Sequence, residues 1–133
     1  MNQPPPRLAP SAADLEALAR QALDDIPPEL ACHLNDIVIR IDEFPDEAVE
    51  REMGLDSPFD ILGLYRGVAL TRRSVGASPD DLDMIFLYRR PILDYWCETG
   101  EDLTALVRHV LIHEIGHHFG FSDADMERLE DET

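Results

Sequence analysis

Basic residues are scarce in this chain and lysine is absent. Its 133 residues include 11 Lys plus Arg against 28 Asp plus Glu, which gives a formal net charge of −17. Because nucleic acid and anionic membranes are bound through basic faces, this deficit argues against both as partners. The acid excess is typical of a well-solvated protein surface.

Cysteine is also rare, and long apolar runs are missing. Cys32 and Cys97 have no Cys-x-x-Cys spacing, and both lie among apolar residues, so we expect core positions in a reducing compartment. No stretch reaches the roughly 18 apolar residues of a membrane span. The first ten residues, MNQPPPRLAP, have no apolar run typical of a signal peptide. These absences predict a cytoplasmic protein.

Hydrophobic residues make up 44% of the chain, enough for one folded domain. We expect a disordered proline-rich tail over 1–10 and a single domain over 11–133. Periodicity and caps predict helices alternating with short strands, and therefore an α+β fold with a small mixed sheet of three to four strands. The predicted helices are 11–26, 28–34, 45–53, 91–96, 101–119 and 123–130, and the predicted strands are 37–41, two within 61–70, and 84–88.

Three further expectations concern the burial of one strand, the cap of one helix and one loop. The near-continuous apolar run at 37–41 indicates a strand buried on both faces. Thr99 is the expected N-cap of helix 101–119, with Asp102 three residues on. Residues 74–83 are expected to form a loop.

The strongest chemical pattern is His-Glu-x-x-His at 113–117, inside the predicted helix 101–119. Four residues advance about 400° around a helix, so His113 and His117 leave the same face. Two imidazoles so placed can bind one zinc ion. Glu114 is turned about 100° away, which suits a general base acting on a water rather than a metal ligand. The pattern predicts the centre of a zinc hydrolase.

A third ligand is needed, and the helix itself does not provide it. Gly120 can adopt positive φ and turn the chain back towards the metal, and Asp123 follows three residues later. The pattern His-Glu-x-x-His-x-x-Gly-x-x-Asp is of the metzincin type with aspartate as the third ligand. Asp125 and Glu127 remain alternatives to Asp123.

Four other polar residues are candidates for supporting roles. His109 extends the histidine row by one turn and is expected to act beside the ligands or to have no role. His118 is expected to be packed or hydrogen-bonded. Tyr65 and Tyr88, with these two histidines, are candidates by residue type for stabilising a tetrahedral oxyanion. Either the strand 84–88 or the strand pair in 61–70 can be the edge along which an extended peptide binds.

The chain resembles the small bacterial zincin-like metallopeptidases, also called minimal metalloproteases or minigluzincin-like proteins. The resemblance rests on ILGLYRGVAL, IFLYRRPIL and VRHVLIHEIGHHFGFSD, in that order. It implies a minimal zincin-like fold in which the active-site helix packs with the sheet. It also implies zinc held by His113, His117 and Asp123, with Glu114 as base. His109 departs from the resemblance, which leads us to expect an aliphatic residue there.

We therefore expect a monomeric zinc metallopeptidase that acts on a peptide or protein substrate. Two alternatives use the same residues. One is a zinc- and peptide-binding module with little or no turnover, and the other is an amidase for small molecules.

Overall fold

A small mixed sheet organises the molecule. The computed structural model describes residues 8–26, 28–31, 34, 37–67, 83–120 and 124. Within them, three strands form one sheet in the order β1-β3-β2, with β1 Ile37–Asp42, β2 Gly63–Arg66 and β3 Asp83–Tyr88. β1 runs parallel to β3, and β2 runs antiparallel to it. The predicted α+β fold with a small mixed sheet is confirmed, and β3 is its central strand.

Helices surround this sheet. They are α1 Ala12–Asp24, α2 Pro28–Ala31, α3 Glu47–Met53, α4 Arg89–Thr99 and α5 Leu103–Phe119, with a 3₁₀ turn at Pro58–Asp60. The predicted start of α1 and the predicted end of α3 are confirmed, whereas α1 ends at Asp24 and α3 begins at Glu47. The Ser11 hydroxyl accepts from the Asp14 amide in a reciprocal capping box, and Gly54 ends α3 at φ 63°.

α5 begins later than the sequence indicated. Its N-cap is Asp102, whose carboxylate accepts from the Ala105 amide, and not Thr99. Thr99 is the last residue of α4, which ends at Gly100 in the left-handed conformation (φ 70°). The reason is that α4 extends three residues beyond the predicted end at Trp96, so Thr99 is already helical.

The core lies between the sheet, α1 and α5. α5 buries a wide apolar surface against both, and the strand residues Ile85 and Leu87 face it. The fully buried side chains at the centre of this layer are Leu15, Ala19, Ile85, Leu87, Val107 and Leu111. Burial of this kind supplies most of the free energy that holds a helix of this length on a sheet. α5 is therefore a rigid platform for the residues at its C-terminal end.

Two burial predictions are wrong. β1 alternates between half-buried and exposed positions along most of its length, and Val38 is 40% exposed, because β1 is an edge strand covered by α1 on one face. Cys97 is exposed on α4 rather than in the core. Neighbouring apolar residues do not bury a helical residue whose own position faces outwards.

Several predictions concern residues outside those described. They include the second strand of 61–70, most of the loop 74–83, all of helix 123–130 except residue 124, Cys32 and the tail as far as residue 7. At the near end of the tail, the Pro10 carbonyl accepts a hydrogen bond of 2.8 Å from Nε of Arg89. In the described part of the chain, no helix is long and apolar enough to cross a membrane.

Candidate metal centre

α5 presents two imidazoles side by side near its C-terminus. The ring centres of His113 and His117 are 4.9 Å apart, with the planes 68° to each other. Two imidazoles that share a tetrahedral zinc through bonds of about 2.1 Å place their ring centres roughly 5 Å apart. His113 is half-buried and His117 is exposed, so the pair opens towards solvent. The spacing of the two rings is therefore compatible with a shared zinc ion.

Glu114 lies beside this pair and is only 5% exposed. Its Oε1 accepts a hydrogen bond of 2.9 Å from the backbone N–H of Tyr65 and lies 3.1 Å from Nδ1 of His117. An ionised carboxylate can only accept, so this contact is a hydrogen bond when Nδ1 of His117 carries the proton. In the neutral imidazole with that tautomer, Nε2 carries the lone pair available to a metal.

β2 approaches α5 closely enough for this bond because residue 63 is glycine. A Cβ at Gly63 would lie 2.7 Å from Cγ1 of Val110 and 3.5 Å from Cγ of Glu114. No side chain fits between strand and helix at this point. Gly63 was not predicted as a site residue, although an isolated glycine within a strand pattern is a known sign of close backbone approach.

A cleft of about 530 Å³ runs between β2 and α5. Its polar side chains are concentrated on α5, and the opposite wall is mainly apolar. The lining residues are Met53, Asp60, Ile61, Leu62, Gly63, Leu64, Tyr65, His109, Val110, His113, Glu114 and His117. The two proposed zinc ligands and the proposed base are therefore together in one cleft.

The structure distinguishes the two segments proposed as a peptide-binding edge. Among the described strands, β3 is central and paired on both sides, whereas β2 is at an edge of the sheet and borders the cleft. Leu62 directs its carbonyl to the Tyr88 amide on β3, while Tyr65 directs its N–H to Glu114 on α5. Since backbone groups alternate along a strand, Gly63 and Tyr65 present theirs to the cleft side.

Three polar side chains, from Tyr65 on β2, Asp83 on β3 and His118 on α5, are in contact with one another. The Tyr65 hydroxyl donates to Oδ1 of Asp83 at 2.8 Å and lies 3.3 Å from Nδ1 of His118. Nδ1 of His118 is 3.6 Å from Oδ2 of Asp83, and these two residues are 1% and 3% exposed. His118 is packed and hydrogen-bonded, as expected. Asp83 was missed, because a single acid at the expected end of a loop carries no signal of burial.

The four residues proposed as candidates for stabilising an oxyanion lie in different surroundings. Tyr65 and His118 are committed to the contact with Asp83. Tyr88 lines a different cleft with Asp42 and Asp46, where burial, and secondarily these two carboxylates, raises its pKa to about 12. His109 lines the metal cleft and is exposed. Of the four, His109 is the candidate whose side chain borders the cleft without belonging to the Asp83 contact.

The turn that leads to the third ligand begins as expected. Gly120 ends α5 in the left-handed conformation at φ 73°, and its N–H bonds to the carbonyls of Gly116 and His117. Asp123 and its alternatives Asp125 and Glu127 lie outside the described residues. The described residues alone contain no cluster of three or more His, Cys, Asp or Glu able to hold a metal. The predicted zinc site needs one of these three acids.

A His-Glu-x-x-His helix packed under the edge strand of a small mixed sheet defines a zincin-type site. A family profile described as zincin-like metallopeptidase matches residues 34–133 of this chain of 133. The chain belongs to the zincin-like metallopeptidase family. A comparison with curated proteins found no match. The matched region includes the sheet, the cleft and the whole His-Glu-x-x-His segment.

Proposed function

We propose that this protein is a zinc-dependent peptidase that hydrolyses peptide bonds in an extended substrate. Zinc would be held by His113, His117 and Asp123, and Glu114 would be the general base. Membership of the family supports a zinc-dependent hydrolase in general terms. The proposal that the protein is a peptidase with Glu114 as its general base rests on the contacts of Glu114.

The observation that carries the proposal is the placement of a buried carboxylate in the cleft. Burying a carboxylate costs free energy unless hydrogen bonds compensate for it. Glu114 is 5% exposed and accepts from Tyr65, on a strand that is distant in sequence. A site that only bound zinc through histidines would not require this acid. Its burial beside the histidine pair is what a positioned base needs.

Zinc, when bound, supplies Lewis acidity to the reacting carbonyl and water. The protein's part in the proposed reaction is proton transfer by Glu114. Both observed contacts of its carboxylate use Oε1, so Oε2 is the atom we assign to accept the proton of the attacking water. The same oxygen then gives the proton to the leaving amine.

β2 offers a way to align the substrate. An extended peptide can add to the edge of a sheet through backbone hydrogen bonds. The backbone groups of Gly63 and Tyr65 face the cleft, but the Tyr65 N–H is already donated to Glu114. We propose that the substrate pairs with the remaining groups, namely the Gly63 N–H and carbonyl and the Tyr65 carbonyl. The mainly apolar wall formed by Ile61, Leu62 and Leu64 would accept apolar side chains.

The central test compares the wild-type protein with Glu114→Gln on a library of peptides and denatured proteins. Glutamine keeps the shape and can still accept from Tyr65, but it is not a base. We expect about one zinc per chain in both proteins and a loss of turnover of about 10²- to 10⁴-fold in the variant. If both proteins bind zinc and are equally inert on peptides, the peptidase proposal fails. Retained peptide binding would then support the binding module, and hydrolysis of non-peptide amides would support the amidase.

The ligands have a separate test. His113→Ala and His117→Ala should each abolish stoichiometric zinc binding, and Asp123→Ala should weaken it. His109→Ala is the matched control, since it lies on the same helix and lines the same cleft. Elemental analysis after dialysis measures the ratio. Unchanged zinc content in all three ligand variants would refute the site, and loss in the control would make His109 a ligand.

A further inference from the structure

The buried contact among Asp83, Tyr65 and His118 joins three elements of the fold. Asp83 is the first residue of the central strand β3, Tyr65 lies on the edge strand β2, and His118 is on α5, directly after the second proposed zinc ligand. The phenol to carboxylate distance is 2.8 Å and the phenol to imidazole distance is 3.3 Å. A charged group at this depth requires strong hydrogen bonds. The contact therefore connects the helix to both strands.

The directions of these bonds follow from the number of protons. The Tyr65 hydroxyl has one proton, which it gives to Oδ1 of Asp83. A hydrogen bond between His118 and the phenol is therefore donated by Nδ1–H of the imidazole to the phenol oxygen. The same nitrogen lies 3.6 Å from Oδ2 of Asp83. With Nδ1 protonated, each contact of the phenol joins a donor to an acceptor, which favours one position of the Tyr65 ring.

Tyr65 also holds the proposed base. Its backbone N–H donates to Oε1 of Glu114 at 2.9 Å, while its side chain is held by Asp83 and His118. β2 is an edge strand, so among the described residues β3 alone pairs with it. The phenol contacts give it a second attachment, on the α5 side. The position of the Tyr65 amide, and through it of Glu114, depends on this attachment.

We propose that Asp83, Tyr65 and His118 are positioning residues that hold β2 against α5 and thereby fix the Glu114 carboxylate in its reactive orientation. The inference rests on the proposed role of Glu114 as base. Catalytic groups must be held within about 0.5 Å and 10–20° of their productive geometry. A single backbone N–H on an edge strand does not achieve this unless the strand itself is held. Neither Asp83 nor His118 is among the described residues that line the cleft, so they act through Tyr65.

A purely structural role predicts a different result. If the contact only stabilises the fold, its loss lowers the melting temperature and leaves the turnover of the folded fraction unchanged. A positioning role predicts a fall in kcat with little change in KM, because substrate binding along β2 persists while the base is misplaced. It also predicts faster hydrogen exchange of the Tyr65 backbone amide. This amide donates to the Glu114 carboxylate, and that hydrogen bond opens more often when β2 is no longer held.

The experiment uses Tyr65→Phe, which removes the hydroxyl and keeps the ring. Tyr88→Phe is the matched control, because Tyr88 is also buried and its hydroxyl makes no hydrogen bond within the described residues. Asp83→Asn is a milder second variant that keeps an acceptor for the phenol. Amide exchange at position 65 is measured on the zinc-loaded proteins, with the β3 amides of Ile85 and Leu87 as internal references.

For Tyr65→Phe we expect exchange at position 65 to be about tenfold faster, with the reference amides unchanged, and kcat to fall about tenfold or more at constant KM. Asp83→Asn should lie between this variant and the wild type, and Tyr88→Phe should equal the wild type. Unchanged exchange at position 65 would overturn the proposal, as would faster exchange with an unchanged kcat. If the wild type has no peptidase activity, the proposed function fails, while the exchange result still decides whether the contact holds the amide.

Discussion

Replacing Gly63 with alanine tests whether close approach of β2 to α5 shapes the site. The new Cβ would lie 2.7 Å from Cγ1 of Val110 and 3.1 Å from the Phe86 carbonyl oxygen. The first contact is well inside van der Waals distance, and valine has little rotamer freedom to relieve it. Strand and helix must therefore separate by some tenths of an ångström, at the point where Glu114 meets the strand.

The size of the effect follows from two opposing terms. Overpacking of a core contact costs about 1–3 kcal/mol. Alanine gains about 0.4–1 kcal/mol over glycine because the unfolded chain loses conformational freedom. The net loss should be about 1–2 kcal/mol, which lowers the melting temperature of a domain of this size by roughly 3–10 °C.

A double-mutant cycle with Val110→Ala isolates the clash, because that change removes Cγ1. Urea denaturation should show Gly63→Ala to be less costly in the Val110→Ala background, by about 1 kcal/mol. Gly54→Ala is the control. It costs about 1 kcal/mol through its positive φ of 63° but has nothing within 4 Å of its Cβ, so it should be additive with Val110→Ala. A Gly63→Ala protein as stable as the wild type, or an additive cycle, would refute the reasoning.

Two further predictions concern the helix that carries the site and the second cleft. Asp102→Ala should destabilise the protein by about 1 kcal/mol in urea denaturation, because the N-cap bond to Ala105 is lost, whereas Asp94→Ala on the exposed side of α4 should change stability by less than about 0.5 kcal/mol. Equal effects would contradict the cap. Tyr88 has its pKa raised to about 12, mainly by burial, so the unfolded chain, with a pKa of about 10, loses the proton first. The contribution of Tyr88 to stability should therefore be constant well below pH 10 and be lost as the pH rises from about 10 to about 12. Tyr88→Phe should show a shallower decline over this range, and parallel curves would contradict the assignment.

The parts of the fold that were predictable are those whose causes are local in sequence. A cap and its helix are a few residues apart, so Ser11 and Gly54 identify the ends of α1 and α3. The regular spacing of side chains on a helix likewise predicted that His113 and His117 lie on one face of a helix that ends at Gly120. Competing local signals are less reliable. Thr99 and Asp102 are both good caps, and the length of α4 decided between them.

The parts that were not predictable depend on contacts across the chain. The exposure of alternate β1 residues follows from the packing of α1 on one face of the strand, which its apolar sequence does not reveal. Asp83 is 18 residues from Tyr65, and Tyr65 is 53 from His118, so no local pattern indicates that they meet. The edge character of β2 is known only once β3 is found between β1 and β2.

The same distinction between local and long-range causes separates the two proposed histidine ligands from the proposed base. The spacing of His113 and His117 is a property of one helix and would survive in any protein that kept the helix. Glu114 is hydrogen-bonded to Tyr65, which is 49 residues away in sequence. Gly63 lets the Tyr65 strand lie close to α5, and the Tyr65 side chain is hydrogen-bonded to the buried Asp83. Zinc binding should therefore tolerate changes in β2 that turnover does not. A variant of Gly63 or Tyr65 that keeps one zinc and loses hydrolysis would locate the catalytic function in the contact between strand and helix rather than in the histidine motif alone.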